Sequence, residues 1–106
     1  MEDHNNRTHD RLVRRVKEEF KKRWRINLVP HYHYSQGEMD LVRFQNGSPT
    51  VAYEIKSNNL NQNMFKAHEQ LERFHEFHKN QFGIYVRGVY ITQKSLDGDL
   101  EAYRMI

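Results

Sequence analysis

A chain of 106 residues without a single cysteine has room for one modest core, and it excludes a disulfide framework, a thiolate zinc site and a cysteine nucleophile. Apolar residues make up 37% and charged residues 29%, so the core is thin and partly aromatic, a composition that often gains stability by dimerising. The net charge of +3 is uneven: residues 1–25 hold nine Lys/Arg against five Asp/Glu, a distribution that suits a phosphate-contacting element on a near-neutral body, although a charge run alone is more often a solvated face.

Residues 1–7 are polar and are expected to fray. From Thr8 onward, Leu12, Val13, Val16, Phe20 and Trp24 recur at spacings of three and four, which predicts a helix capped by Thr8 or Asp10. Glu19 lies seven positions after Leu12, within about 20° of it around the helix. A carboxylate on that core-facing stripe is either paired with a cation or aimed at a site, because burying it alone is too costly. Residues 25–29 and 31–34 read as extended, with Pro30 marking an edge, bulge or break. Ser35-Gln36-Gly37 is a turn into a strand over 37–44, and a further strand covers 51–56. In the link between them, Asn46-Gly47 tolerates positive φ and Pro49 cannot donate to a ladder. Asn59 or Asn61 is expected to cap a second helix running to about Lys79, with Met64, Ala67, Leu71 and Phe74 on its apolar stripe and Gln70 at the stripe's edge. Residues 84–92 are β-rich, 94–98 make a turn, and 100–106 return as a final strand. The order is α-β-β-β-α-β with an extra C-terminal strand. This predicts a single α/β domain with a mixed central sheet and a helix on each face.

Three charged residues interrupt strands that otherwise read as buried: Asp40, Glu54 and Lys56. Strand alternation points Glu54 and Lys56 the same way and Ile55 the other. If Phe44 and Thr50 close the hairpin, Asp40 stands opposite Glu54 with Cβ atoms about 5 Å apart. Two carboxylates at that separation repel and raise one pKa unless a divalent cation lies between them. The pattern reads as a metal site with a lysine beside it.

Gly37-Glu38-Met39-Asp40, a hairpin-length gap and Glu54-Ile55-Lys56 resemble the PD-(D/E)XK nuclease superfamily, in the form shown by small stand-alone and Holliday-junction resolvase-like members. Met39 stands where the proline of the superfamily's name would be. The resemblance implies a restriction-endonuclease-like core, with Asp40 and Glu54 binding Mg²⁺ or Mn²⁺ and Lys56 positioning or activating the attacking water. It also implies Glu19 as a helix-borne acid of the metal shell. Gln70, followed by Phe74, resembles the Gln-X-X-X-Tyr motif of the RecB-like branch, with Phe in place of Tyr.

The expected activity is metal-dependent endonucleolytic hydrolysis of DNA, branched or structured DNA included. Arg11, Arg14, Arg15 and Lys22 of the first helix would hold the flanking backbone. Seven histidines give a rival signal: His31 with His33, and His75 with His78, share faces that could bind a metal. Without a third ligand in sequence they read as surface or DNA-facing residues, with His31 or His33, near the site mouth, a substrate contact. The expected protein is a soluble, cytoplasmic homodimer, since no apolar run reaches the length of a membrane span and the first residues do not resemble a signal peptide. The alternatives are a nucleic-acid-binding protein with an idle site on the same fold, and an interaction domain in which the charged residues form an ion-pair network.

Overall fold

The computed structural model describes residues 2–57, 60–93 and 99–106. Helix α1 (Glu2–Trp24) is followed by strands β1 (Leu28–Tyr34), β2 (Gly37–Gln45) and β3 (Ser48–Lys56), helix α2 (Asn61–Phe82), and strands β4 (Arg87–Gln93) and β5 (Leu100–Arg104). The strands form one sheet in the order β1-β2-β3-β4-β5. Only β3 and β4, joined through α2, run parallel; the other neighbours are antiparallel. The α/β class, the mixed sheet and the element order are those expected.

Each helix covers one face of the sheet. Leu12, Val13 and Val16 of α1 pack on Leu28, Leu41, Tyr53, Ile55 and Ile91. On the other side, Leu71 and Phe74 of α2 pack on Met39, Val42, Ala52 and Val86. Burial of these side chains is the main force holding the layers together, each worth about 1.5–3 kcal/mol. Gly88 lets α2 approach: a Cβ there would lie 3.1 Å from Leu71 Cβ and 3.3 Å from Ile106 Cδ1.

Several boundaries differ from expectation. Helix α1 begins at Glu2 rather than Thr8, because its polar first turns need no apolar stripe to continue an established helix. Leu60 precedes α2 without a side-chain cap, so Asn61 is its first residue and not its cap; Asn59 lies outside the described residues, as does the turn expected over 94–98. Helix α2 runs past Lys79 to Phe82. It ends at Gly83, whose φ of 67° lets its N–H reach Lys79 O while Ile84 N–H reaches His78 O.

Two irregularities position the site. Asn46 and Gly47, at φ 53° and 81°, make a two-residue turn that pairs Gln45 with Ser48 and Phe44 with Pro49, not with Thr50. Left uncorrected, that turn would carry Asp40 opposite Tyr53. Thr50 instead slips out as an extra residue, its hydroxyl donating to Arg43 O at 3.2 Å, and the ladder resumes as Arg43↔Val51, Val42↔Ala52 and Leu41↔Tyr53. The next positions outward are Asp40 and Glu54, as expected. The second irregularity is His31, held at φ 49° and missing from the β1–β2 ladder opposite Asp40. Both strands turn over there. Leu28 and Leu41 face α1, whereas Met39, Tyr32 and Tyr34 pack on the α2 side.

Candidate functional site

Beyond Leu41↔Tyr53 the β2–β3 ladder stops, and carboxylates take over its hydrogen bonds. Asp40 N–H donates to Glu54 Oε2 at 3.0 Å, and Ile55 N–H donates to Asp40 Oδ2 at 2.8 Å. Each acid is thereby fixed by the other's strand. Glu54 is 2% exposed and Asp40 8%. Two strands thus hold a close pair of carboxylates in a low-dielectric position.

A third member comes from α1. His9 Nε2 lies 3.2 Å from Asp40 Oδ2 and 3.1 Å from Ile55 O. Both partners are acceptors, so Nε2 carries a proton and donates. The hydrogen bond to Asp40 holds the His9 pKa above its ordinary 6.5, against the opposing effect of burial. His9 was not among the residues expected at the site. The available signal was its place one turn before Leu12 and Val13, on the same stripe.

On the same strand, Lys56 Nζ lies 3.4 Å from Gln70 Oε1 of α2, a long hydrogen bond that links strand end and helix. The structure therefore brings together Asp40, Glu54, Lys56 and Gln70, and adds His9. Burial first, and then the Asp40 charge, push the Glu54 carboxyl up to about 8; the Asp40 N–H, Lys56 and His9 pull it down less strongly. At neutral pH the buried Glu54 carboxyl keeps its proton.

Among the described residues, no three His, Asp or Glu side chains form a ready-made metal-binding group. The donors converging with His9 Nε2 are one carboxylate oxygen and one main-chain carbonyl, with Glu54 bound through Asp40 N–H. As placed, the His9 N–H occupies Asp40 Oδ2 and the Ile55 carbonyl, so a cation would have to displace it to reach either oxygen.

Other expected residues lie elsewhere. Glu19 does not join the site: it is ten residues along α1 from His9, about 15 Å, and its carboxylate accepts from Arg23 Nε at 2.8 Å. Angular position on a helix says which layer a residue faces, not where along the axis it lands. Arg11, Arg14 and Lys22 are exposed on α1, as a backbone-contacting face requires, and Arg15 is half-buried. His33 is exposed near the β1–β2 turn and pairs with Glu38 at 2.8 Å. His75 and His78 are neither surface nor DNA-facing. Both are buried: His75 Nδ1 is 2.9 Å from Val86 O, and His78 donates to Phe74 O at 2.9 Å with its ring 4.3 Å from that of Phe74.

No family model, curated protein or solved structure matches the chain. Among the described residues, no helix is long and apolar enough to cross a membrane.

Proposed function

We propose that the protein is a metal-dependent nuclease that hydrolyses phosphodiester bonds in DNA on a restriction-endonuclease-like core. The observation that carries this reading is the meeting of Asp40 and Glu54 across a separated strand pair, with Lys56 on Glu54's own strand and tied to Gln70. Strand residues two apart share a face, so carboxylate and ammonium address the same space.

The groups that would hold Mg²⁺ or Mn²⁺ are the Asp40 and Glu54 carboxylates, with the Ile55 carbonyl beside them. When bound there, the ion would neutralise charge on the phosphodiester and lower the pKa of its water toward neutrality. The protein's own groups do the rest. Glu54 would give up its proton and His9 would release Asp40 if the ion bound, so binding would tighten as pH rises. Lys56, oriented by Gln70 Oε1, donates hydrogen bonds to a non-bridging phosphate oxygen and to the incoming water, holding both in line. Arg11, Arg14 and Lys22, on the helix that carries His9, bind flanking phosphates without reading sequence. A homodimer would present two such sites to two strands.

The test is cleavage of supercoiled plasmid, linear duplex, single strand and four-way junction with Mg²⁺, Mn²⁺ or EDTA, beside Glu54→Gln and Lys56→Ala. Metal-dependent cutting that falls by at least 10²-fold in both variants is expected. Cutting in EDTA, or cutting undiminished in Glu54→Gln, sinks the assignment. The second reading, a DNA-binding protein with an idle site, draws on the lack of a three-side-chain ligand group among the described residues. It predicts DNA binding without cutting under every condition.

A further inference from the structure

Away from Asp40 and Glu54, a cleft of about 460 Å³ opens between the C-terminal half of α1 and strands β3, β4 and β5. Its volume lies within the range of ligand sites. Tyr53, Val89 and Leu100 line the sheet side; Phe20 and Trp24 line the helix side. The Phe20 ring stands edge-on to Tyr53 and to Trp24, with centroids 5.2 and 5.0 Å apart, so three aromatic rings run in series from core to surface. The last of them, Trp24, is 57% exposed. An indole left open at the mouth of a cleft adds little to the core and offers a stacking face.

Two cations, Arg15 and Arg23, and two acids, Glu19 and Asp99, line the cleft itself, and further cations flank Trp24 in the chain. Lys21, Lys22 and Arg23 occupy the last turn of α1, and Arg25 follows; all are exposed. The Glu19 carboxylate beside them is neutralised by Arg23. Favourable interaction with the helix dipole accounts for cations in the last turn, but not for Arg25. Arg25 sits at φ 56°, where its N–H reaches Lys21 O and Ile26 N–H reaches Phe20 O. Glycine is the residue that this helix ending favours, and a side chain there costs roughly 1 kcal/mol or more. A guanidinium kept at a strained position beside an exposed indole points to use of the side chain itself.

We propose that this cleft is a subsite for an unpaired nucleic-acid base, which stacks on Trp24 while Lys21 and Arg25, near it in the chain, hold the flanking phosphates. Exposed aromatics interleaved with cations are the hardware of single-strand binding. The inference rests on the nucleic-acid reading above and narrows its substrate to strands that offer unpaired bases. Glu19, at the cleft, lies about 15 Å along α1 from His9.

Trp24 is the only tryptophan, so its emission reports the cleft directly. Titration with the oligonucleotide (dT)8 in EDTA is expected to quench it saturably, and a blunt duplex of equal length is expected not to. Trp24→Ala, at an exposed position, should keep its Tm and weaken binding of labelled (dT)8 by about 5- to 100-fold. Arg25→Gly should raise Tm, yet weaken binding and lower the salt slope by about 0.7. A merely structural Arg25 would not separate the two signs. Binding of (dT)8 without quenching, or Arg25→Gly with unchanged affinity, overturns the subsite. So does an emission change that tracks protein concentration alone together with dimer in sedimentation, because a second copy then fills the cleft. The titration needs no hydrolysis: quenching without any cleavage activity sinks only the nuclease reading, and cleavage without quenching sinks only the subsite.

Discussion

Stability of the metal-free protein should fall as pH rises from 5 to 8, and Glu54→Gln should remove most of that fall. The folded Glu54 keeps its proton up to about pH 8, whereas the unfolded chain releases it near 4.5. Between those values the native state binds the extra proton, so each step up in pH favours unfolding. At about 1.4 kcal/mol per pH unit, the interval amounts to roughly 5 kcal/mol. That is a large part of the 5–15 kcal/mol typical of a domain of this size. His9 acts in the same direction, because its raised pKa gives stability present below 6.5 and lost as pH rises through the folded value. Glutamine mimics the protonated acid, and its amide oxygen can still accept from Asp40 N–H, the bond Glu54 Oε2 makes at 3.0 Å. Urea unfolding followed by Trp24 emission at pH 5, 6, 7 and 8 in EDTA measures the effect. The wild type should lose several kcal/mol across the series; Glu54→Gln should keep only the smaller slope due to His9. A wild-type stability that is flat over this range, or an unchanged slope in Glu54→Gln, would refute the retained-proton account.

The same linkage governs metal. At pH 8, Mn²⁺ at a hundred times its Kd should stabilise the wild type by about 2.7 kcal/mol and raise Tm by roughly 10 °C, with the shift shrinking toward pH 5.5 and absent in Glu54→Gln, by thermal melting. Gly88→Ala should lower Tm by roughly 5–10 °C, because its Cβ meets Leu71 Cβ at 3.1 Å and helix α2 must lift off the sheet. His78→Ala should cost about 2–4 kcal/mol in urea unfolding, since it opens a cavity beside Phe74 and Tyr34, whose rings lie 4.3 and 6.2 Å from the imidazole.

The amino-acid sequence by itself determined the element order and much of the site, because both rest on short-range rules. Alternation along residues 51–56 put Glu54 and Lys56 on one face, and hairpin closure put Asp40 opposite Glu54. Even there, the turn took a different form. The two-residue Asn46-Gly47 turn and the extra Thr50 together restored a register that neither gives alone. Tertiary structure alone decided which residues of α1 meet the site. The helical period puts His9 and Glu19 on the sheet-facing side, yet the axial position of α1 on β1–β3 delivers His9 to Asp40 and leaves Glu19 to Arg23. That position depends on how Leu12, Val13 and Val16 seat among Leu28, Leu41 and Ile55, a packing fit that no local pattern encodes. The same holds for His75 and His78, which the chain buries against the Val86 backbone and among the Tyr34 and Phe74 rings, partners no local pattern names.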